Sequence, residues 1–172
     1  MAILKVLEIP NPRLRCTAQP VANVSEDIRR LMDDMAETMH ALSNAVGLAA
    51  IQVGVEHRVI VINAEKEDGG PQFLYKMANP EVVWASEDRS TSMEGCFSVP
   101  EAYAEVERAA VVHATYLDEN NQPQKVEATG VLATCIQHEI DHLNGVLFID
   151  YLSPLKRERI IKKLEKVRRL RA

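Results

Sequence analysis

The sequence predicts an α+β fold: antiparallel sheets packed around a central helix, with an amphipathic helix at the C-terminal end. Three observations predict it. Apolar residues recur at helical spacing in three separated segments, the strand candidates between them are short and joined by short turns, and strands do not alternate with helices as βαβ units require. The 172 residues, 47% hydrophobic and 26% charged, are enough for one core and one domain over 1–172.

The first helix is expected from Ser25 to Leu42. Ile28, Leu31, Met32, Met35, Met39 and Leu42 share a face, Ser25 suits an N-cap, and Glu26 and Asp27 suit the positive end of the dipole. Its methionines follow the helix face and read as core, not as a soft-metal site. Residues 44–54 are small and glycine-rich. Arg58 to Asn63 reads as a buried strand, followed by strand candidates at 73–78, 81–85, 103–107 and 109–117. Asp68-Gly69-Gly70 and Asp118-Glu119-Asn120-Asn121 are turn signals between them. A second helix is expected from about Gly130 to Leu143, with Thr129 as N-cap and Gly145 as the stop. The third starts at Ser153-Pro154, a cap followed by a proline at the first helical position.

Met1 to Pro10 is apolar but broken by Lys5 and Glu8, unlike a signal peptide, and no run approaches membrane-spanning length. A cytoplasmic protein of bacterial type, or the mature form of an organellar one, is the expectation. Three cysteines cannot all pair, so each is first a small buried hydrophobe. The net charge of −5 is uneven. Residues 1–153 hold 11 basic and 23 acidic residues, or −12, while 154–172 hold 9 basic and 2 acidic, or +7. A basic end on an acidic body needs its own explanation.

The second helix carries His138-Glu139-Ile140-Asp141-His142. Residues four apart stack on one helix face, so both imidazoles can point at one ion, and Glu139 can reach a water beside it without being a ligand. A third ligand must come from elsewhere. The longer zinc motif H-E-x-x-H-x-x-G would put it at Phe148, and Glu158 and Glu165 lie in the basic terminal helix. Cys135 shares the histidine face but lies seven residues from His142, roughly 10 Å along the axis, too far for bonds of about 2.0–2.3 Å. Cys96, in the tight segment Glu94-Gly95-Cys96-Phe97-Ser98, is the better candidate. Three protein ligands leave a fourth position open, the mark of a catalytic metal site.

Together these pieces resemble the peptide deformylases. The motifs are Ala45-Val46-Gly47-Leu48-Ala49-Ala50-Ile51-Gln52, Glu94 to Ser98, and His138 to His142, in the family's order. Asn11-Pro12 and Phe148 to Leu155 extend the likeness over nearly the whole chain. The resemblance implies removal of the formyl group from the N-terminal formyl-methionine of new polypeptides by metal-hydroxide attack. Cys96, His138 and His142 would bind the ion, Glu139 would act as general acid and base, and Gln52 with the Phe97 backbone N–H would steady the oxyanion. Val46, Phe97, Val131 and Cys135 would border the methionine pocket, with Gly47 letting the peptide backbone approach and Glu94, Gly95 and Tyr103 along the peptide groove. The helix face supports Val131 and Cys135 independently, because with His138 and His142 they form an i, i+4, i+7, i+11 row. Fe²⁺ is the favoured ion, and Zn²⁺, Ni²⁺ or Co²⁺ would also suit one thiolate and two imidazoles.

Three positions depart from the family pattern. Ala45 stands for glycine, with a less free backbone expected; Phe97 stands for leucine, with a narrower pocket expected; Tyr103 stands where some members carry arginine. The basic terminal segment has an apolar stripe of Ile160, Ile161, Leu164 and Val167 and reads first as a docked helix with a solvated face. The resemblance makes the ribosome its natural partner, with no membrane or DNA expected. Two rivals stand beside this reading: a zinc peptidase, and an inactive homologue that holds metal and binds peptides or the ribosome.

Overall fold

The structure, a computed structural model, describes residues 2–66 and 69–172. In chain order its elements are α1 (Glu26–Ala41), β1 (Gly47–Ala49), β2 (Val59–Glu65), β3 (Gln72–Ala85), β4 (Arg89–Cys96), β5 (Val99–Ala109), β6 (Val111–Leu117), β7 (Pro123–Thr129), α2 (Gly130–Leu143) and α3 (Pro154–Arg171). Short 3₁₀ turns occupy Pro12–Arg15, Ala50–Val53 and Phe148–Tyr151.

Five strands form one antiparallel sheet in the order β1-β2-β3-β6-β7, and β4 and β5 form a separate hairpin. Both faces of β2 are buried, which is why its sequence is an unbroken apolar run. Val59 and Val61 meet the α1 side, in a cluster with Met32, Met35 and Met39. Ile60 and Ile62 meet the other side, in a cluster with Leu132, Cys135, Ile136 and Leu143 of α2. A third cluster joins Val99, Ala102 and Val106 of the hairpin to Phe148 and to Leu164 of α3. Helix α2 therefore has the large sheet on one side and packs against β5 of the hairpin. That position makes it the central helix the α+β reading requires.

The three helices fall within a residue or two of their expected bounds. Ser25 Oγ accepts the Ile28 N–H, and Ser153 Oγ accepts the Lys156 N–H, so both caps act through the side chain. Thr129 caps α2 by position only, with no side-chain hydrogen bond. Gly145 ends the region of α2 at φ 73°, where a Cβ would meet the Arg15 carbonyl oxygen at 2.6 Å.

The strands differ more. The expected pair 73–78 and 81–85 is one strand, bent at Asn79, whose φ is 49°. The Asn79 side chain secures the bend by accepting from Val21 N and donating to Val21 O, both at 2.8 Å. Strands β1, β4 and β7 were not expected. β4 (Arg-Ser-Thr-Ser-Met-Glu-Gly-Cys) and β7 are polar and held by their partners' ladders, so apolar alternation does not reveal them. Asp68, in the expected turn at 68–70, lies outside the described residues; Gly69 has the positive φ (79°) such a turn uses. On α3 the stripe is narrower than expected. Leu164 is buried with Ile160 and Val167 half-buried, but Ile161 faces solvent.

Asp150 ties the turn after α2 to the N-terminal segment. It accepts from Arg15 Nη1 and Nη2 at 2.6 and 3.1 Å and from Leu147 N at 3.0 Å. Burial works against this carboxylate, but Arg15 and the Leu147 N–H hold it below its usual range. A folded-state pKa below the unfolded one gives stability that is present above the unfolded value and lost as pH falls through the folded one. Thermal melts of Asp150→Asn should therefore show a lower Tm than wild type near pH 7. The gap should shrink as the pH falls below the ordinary aspartate range and through the lowered folded-state value.

Candidate metal centre and its cavity

Local folding brings the donors together from two directions. His138 and His142 project from one face of α2, and Cys96 ends β4, one residue before the tight turn through Phe97 and Ser98 to Val99. Cys96 Sγ lies 3.3 Å from His142 Nε2, and the two Nε2 atoms lie 3.2 Å apart. One donor atom from each of the three residues falls within 4.8 Å of the others. Bonds of about 2.0–2.3 Å to a tetrahedral ion make ligand–ligand edges of about 3.3–3.6 Å. The donor set and its spacing fit a single divalent ion of the borderline-soft kind.

The imidazoles are differently tethered. His138 Nδ1 is 2.7 Å from Glu94 Oε1, which fixes the ring and leaves Nε2 facing the other donors. Burial pulls the pKa of His138 down, but hydrogen bonds that its ring donates to Cys96 and Glu94 and the charge of Glu139 carry it well above the usual range. His142 is driven well below that range by burial and then by His138. Its Nδ1 is buried without a partner among the described residues.

Glu139 is 3% exposed, and among the described residues its Oε2 has no hydrogen-bond partner. Burial pushes its pKa up to about 7. Gly47 stands against it: a Cβ there would meet Glu139 Oε1 at 2.6 Å and Cys135 Sγ at 2.7 Å. Gly47→Ala should push the carboxylate aside, and a shift near 1 Å costs roughly 10²-fold in rate. Steady-state kinetics should show that loss in kcat, with metal content unchanged.

Gln52 is held by the 3₁₀ turn that bears it. Its Oε1 accepts from Ala49 N at 2.9 Å, and its Nε2 donates to Ser98 Oγ at 3.1 Å and toward Cys96 Sγ at 3.4 Å. A cavity of about 690 Å³ opens over these groups. Val46, Gly47, Gln52, Glu94, Gly95, Cys96, Phe97, Tyr103, Val131, Cys135, His138 and Glu139 all line it, and His142 lies behind the wall. Cys135 Sγ is 4.0 Å from Glu139 Oε1, and burial raises its pKa well above the usual thiol range, so it packs as a neutral thiol. In the segment leading to Gly47 the positive φ falls on Asn44, at 63°, so Ala45 bears no left-handed strain.

Sequence reasoning missed the group beneath the histidines. Arg108, 4% exposed, grips Glu94 with Nε–Oε2 at 2.7 Å and Nη2–Oε1 at 3.0 Å, and reaches Asp141 Oδ2 at 2.9 Å. Tyr151 donates to the same Asp141 oxygen at 2.7 Å, and its ring lies 5.0 Å under the guanidinium. Burial disfavours charge on both partners, yet pairing holds Arg108 well above and Glu94 below their usual pKa ranges. A signal was present: Arg108 keeps the two-residue phase of Ala102 and Val106, and a charge on a buried phase needs a buried partner. Glu94, expected at the groove, lines the cavity while its carboxylate serves this network.

Comparisons with known proteins place the whole chain. Residues 3–158 match the family model described as polypeptide deformylase. A peptide deformylase of Rhizorhabdus wittichii is 53% identical over 99% of this chain and 98% of that protein. One from Methylocella silvestris is 51% identical over 100% of this chain and 88% of that protein. The crystal structure of the Ehrlichia chaffeensis peptide deformylase superposes with a TM-score of 0.91 at 40% identity, covering 98% of each chain. Family model, relatives and fold agree over nearly the whole length, and the chain belongs to the polypeptide deformylase family.

Proposed function

We propose that this chain, acting as one catalytic unit over residues 1–172, removes the formyl group from N-formylmethionyl peptides. The observation that carries the reading is the convergence of Cys96 Sγ and two Nε2 atoms beside the unpartnered Oε2 of Glu139, at the floor of a cavity open to solvent. An ion held by Cys96, His138 and His142 supplies Lewis acidity toward water and toward a carbonyl oxygen. Glu139 takes a proton from water at Oε2 and returns it to the leaving amine nitrogen. A carboxyl poised near neutrality suits both transfers. The Gln52 Nε2 hydrogen directed at Cys96 Sγ is the one a substrate oxygen can take over, joined by the Phe97 backbone N–H; donors aimed at a developing oxyanion are a large part of such catalysis. Val46, Val131 and Cys135 receive the methionine side chain, and Gly47 and Gly95 let the peptide backbone come close.

We take Fe²⁺ as the working ion on the family likeness, with Zn²⁺, Ni²⁺ and Co²⁺ as acceptable substitutes, and a bacterial cytoplasmic or organellar site of action. Anaerobic metal analysis combined with formate release from formyl-Met-Ala tests the reading. One equivalent of divalent metal and strong preference for formyl-Met-Ala over acetyl-Met-Ala and over internal peptides are expected. Cleavage of internal bonds at comparable rates would instead favour a zinc peptidase.

Among the described residues no helix is long and apolar enough to cross a membrane. Helix α3 carries nearly all of the basic terminal segment, and we read its solvated face as an electrostatic contact with the ribosome. A chain cut at Ser153 should bind ribosomes more weakly at low salt. Undiminished, salt-independent binding in a sedimentation assay would overturn that contact.

A further inference from the structure

Strand β4 and helix α2 run in step along the inner wall of the cavity. Cys96 Sγ meets His142 Nε2 at 3.3 Å, and two residues earlier Glu94 Oε1 meets His138 Nδ1 at 2.7 Å. Two residues of strand advance about 6.6 Å and one helical turn about 5.4 Å, so the match continues. The next pair is Ser92 with Thr134. Both are half-buried and both line the cavity, as do Ser43, Asn44 and Ser90. One end of the cavity is therefore walled by uncharged polar side chains, facing the apolar Val46, Val131 and Cys135.

Reach and chemistry narrow what this end can take. Thr134 stands one helical turn from His138, within the reach of a methionine side chain whose formyl carbon sits at the metal centre. A thioether sulfur is a weak acceptor and gains little from two hydroxyls. Oxidation to the sulfoxide puts a strongly polar oxygen on the same sulfur. In a wholly apolar pocket that oxygen would lie unpaired and the side chain would be rejected. Here the Ser92 and Thr134 hydroxyls can rotate to donate to it. Glu94, the acid of the same wall, does not compete for them, because Arg108 and His138 engage its carboxylate.

We infer that Ser92 and Thr134 extend the substrate range of this chain to peptides that begin with formyl-methionine sulfoxide, by hydrogen bonding the sulfoxide oxygen. The inference rests on the deformylase reading. The sulfoxide itself is unchanged by the reaction and leaves with the peptide. The test compares kcat/KM for the sulfoxide form of formyl-Met-Ala with that for formyl-Met-Ala. Wild type is expected to cleave the sulfoxide peptide less than about thirtyfold more slowly. In the Ser92→Ala/Thr134→Val variant the ratio of sulfoxide to thioether should fall by a further threefold or more, the loss of hydrogen bonds of ordinary strength. The ratio for formyl-norleucine-Ala over formyl-Met-Ala, which involves no acceptor oxygen, should stay within about twofold and so excludes a general change of pocket shape. Thr134→Val alone keeps the side-chain shape and serves if the double variant folds poorly; both ratios are independent of the folded fraction. A larger wild-type penalty, a sulfoxide ratio that moves less than threefold, or a norleucine ratio that moves with it overturns the role of the hydroxyls alone. Failure to cleave formyl-Met-Ala overturns the deformylase reading as well.

Discussion

Replacing Glu139 with Gln is expected to leave one equivalent of metal bound and to slow formate release by roughly 10²–10⁴-fold, the usual contribution of a positioned acid/base. The substitution keeps the shape and removes only the titratable oxygen. Glu139 Oε2 has no protein partner to lose, so the fold should survive with an unchanged Tm. Metal analysis and kinetics on the same preparation separate the outcomes. Loss of metal along with activity would make Glu139 part of the ligand cage. Unchanged turnover would remove it from the chemistry, and unchanged activity at a near-zero level in both proteins would favour the inactive homologue.

Arg108→Leu should be strongly destabilising although it removes no metal ligand and leaves no polar group of its own behind. It leaves Glu94, 5% exposed, and its neighbour Asp141 without their shared cation. Breaking a buried pair from one side costs about 3–5 kcal/mol, because Glu94 keeps only His138 and Asp141 only the Tyr151 hydroxyl in place of the buried cation. The same loss frees Glu94, which orients His138 through Nδ1. Partners of this kind contribute about 10–100-fold to metal affinity. Denaturant melts and competition with a chelator should therefore both shift. Adding Glu94→Gln to Arg108→Leu should recover part of the stability without recovering the metal affinity. A purely structural role for Arg108 predicts that both recover together.

How much of this was legible beforehand differs by element. His138 and His142 could be paired from spacing because helical geometry is regular; four residues always return to one face. Helices α1 and α3 were legible because their caps, Ser25 and Ser153, are local signals. The polar strands β4 and β7 were not, because their stability lies in ladders with β5 and β6 that a single segment does not record. The resemblance named Cys96 as a ligand, but the 3.3 Å approach of its sulfur to His142 depends on a hairpin sequence reading did not foresee.

By itself the sequence determined the α+β class, the three helices, the small-residue stretch before Gln52 and the residue types available to hold an ion. Each of these rests on interactions between neighbours along the chain. Only the tertiary structure decided that Arg108 lies under Glu94, that Gly47 abuts Glu139, and that Tyr103 covers Gly95. Those contacts join segments 8 to 92 residues apart, and burial, which sets the pKa of Glu139 and the cost of Arg108's charge, exists only once distant segments exclude water from the same place.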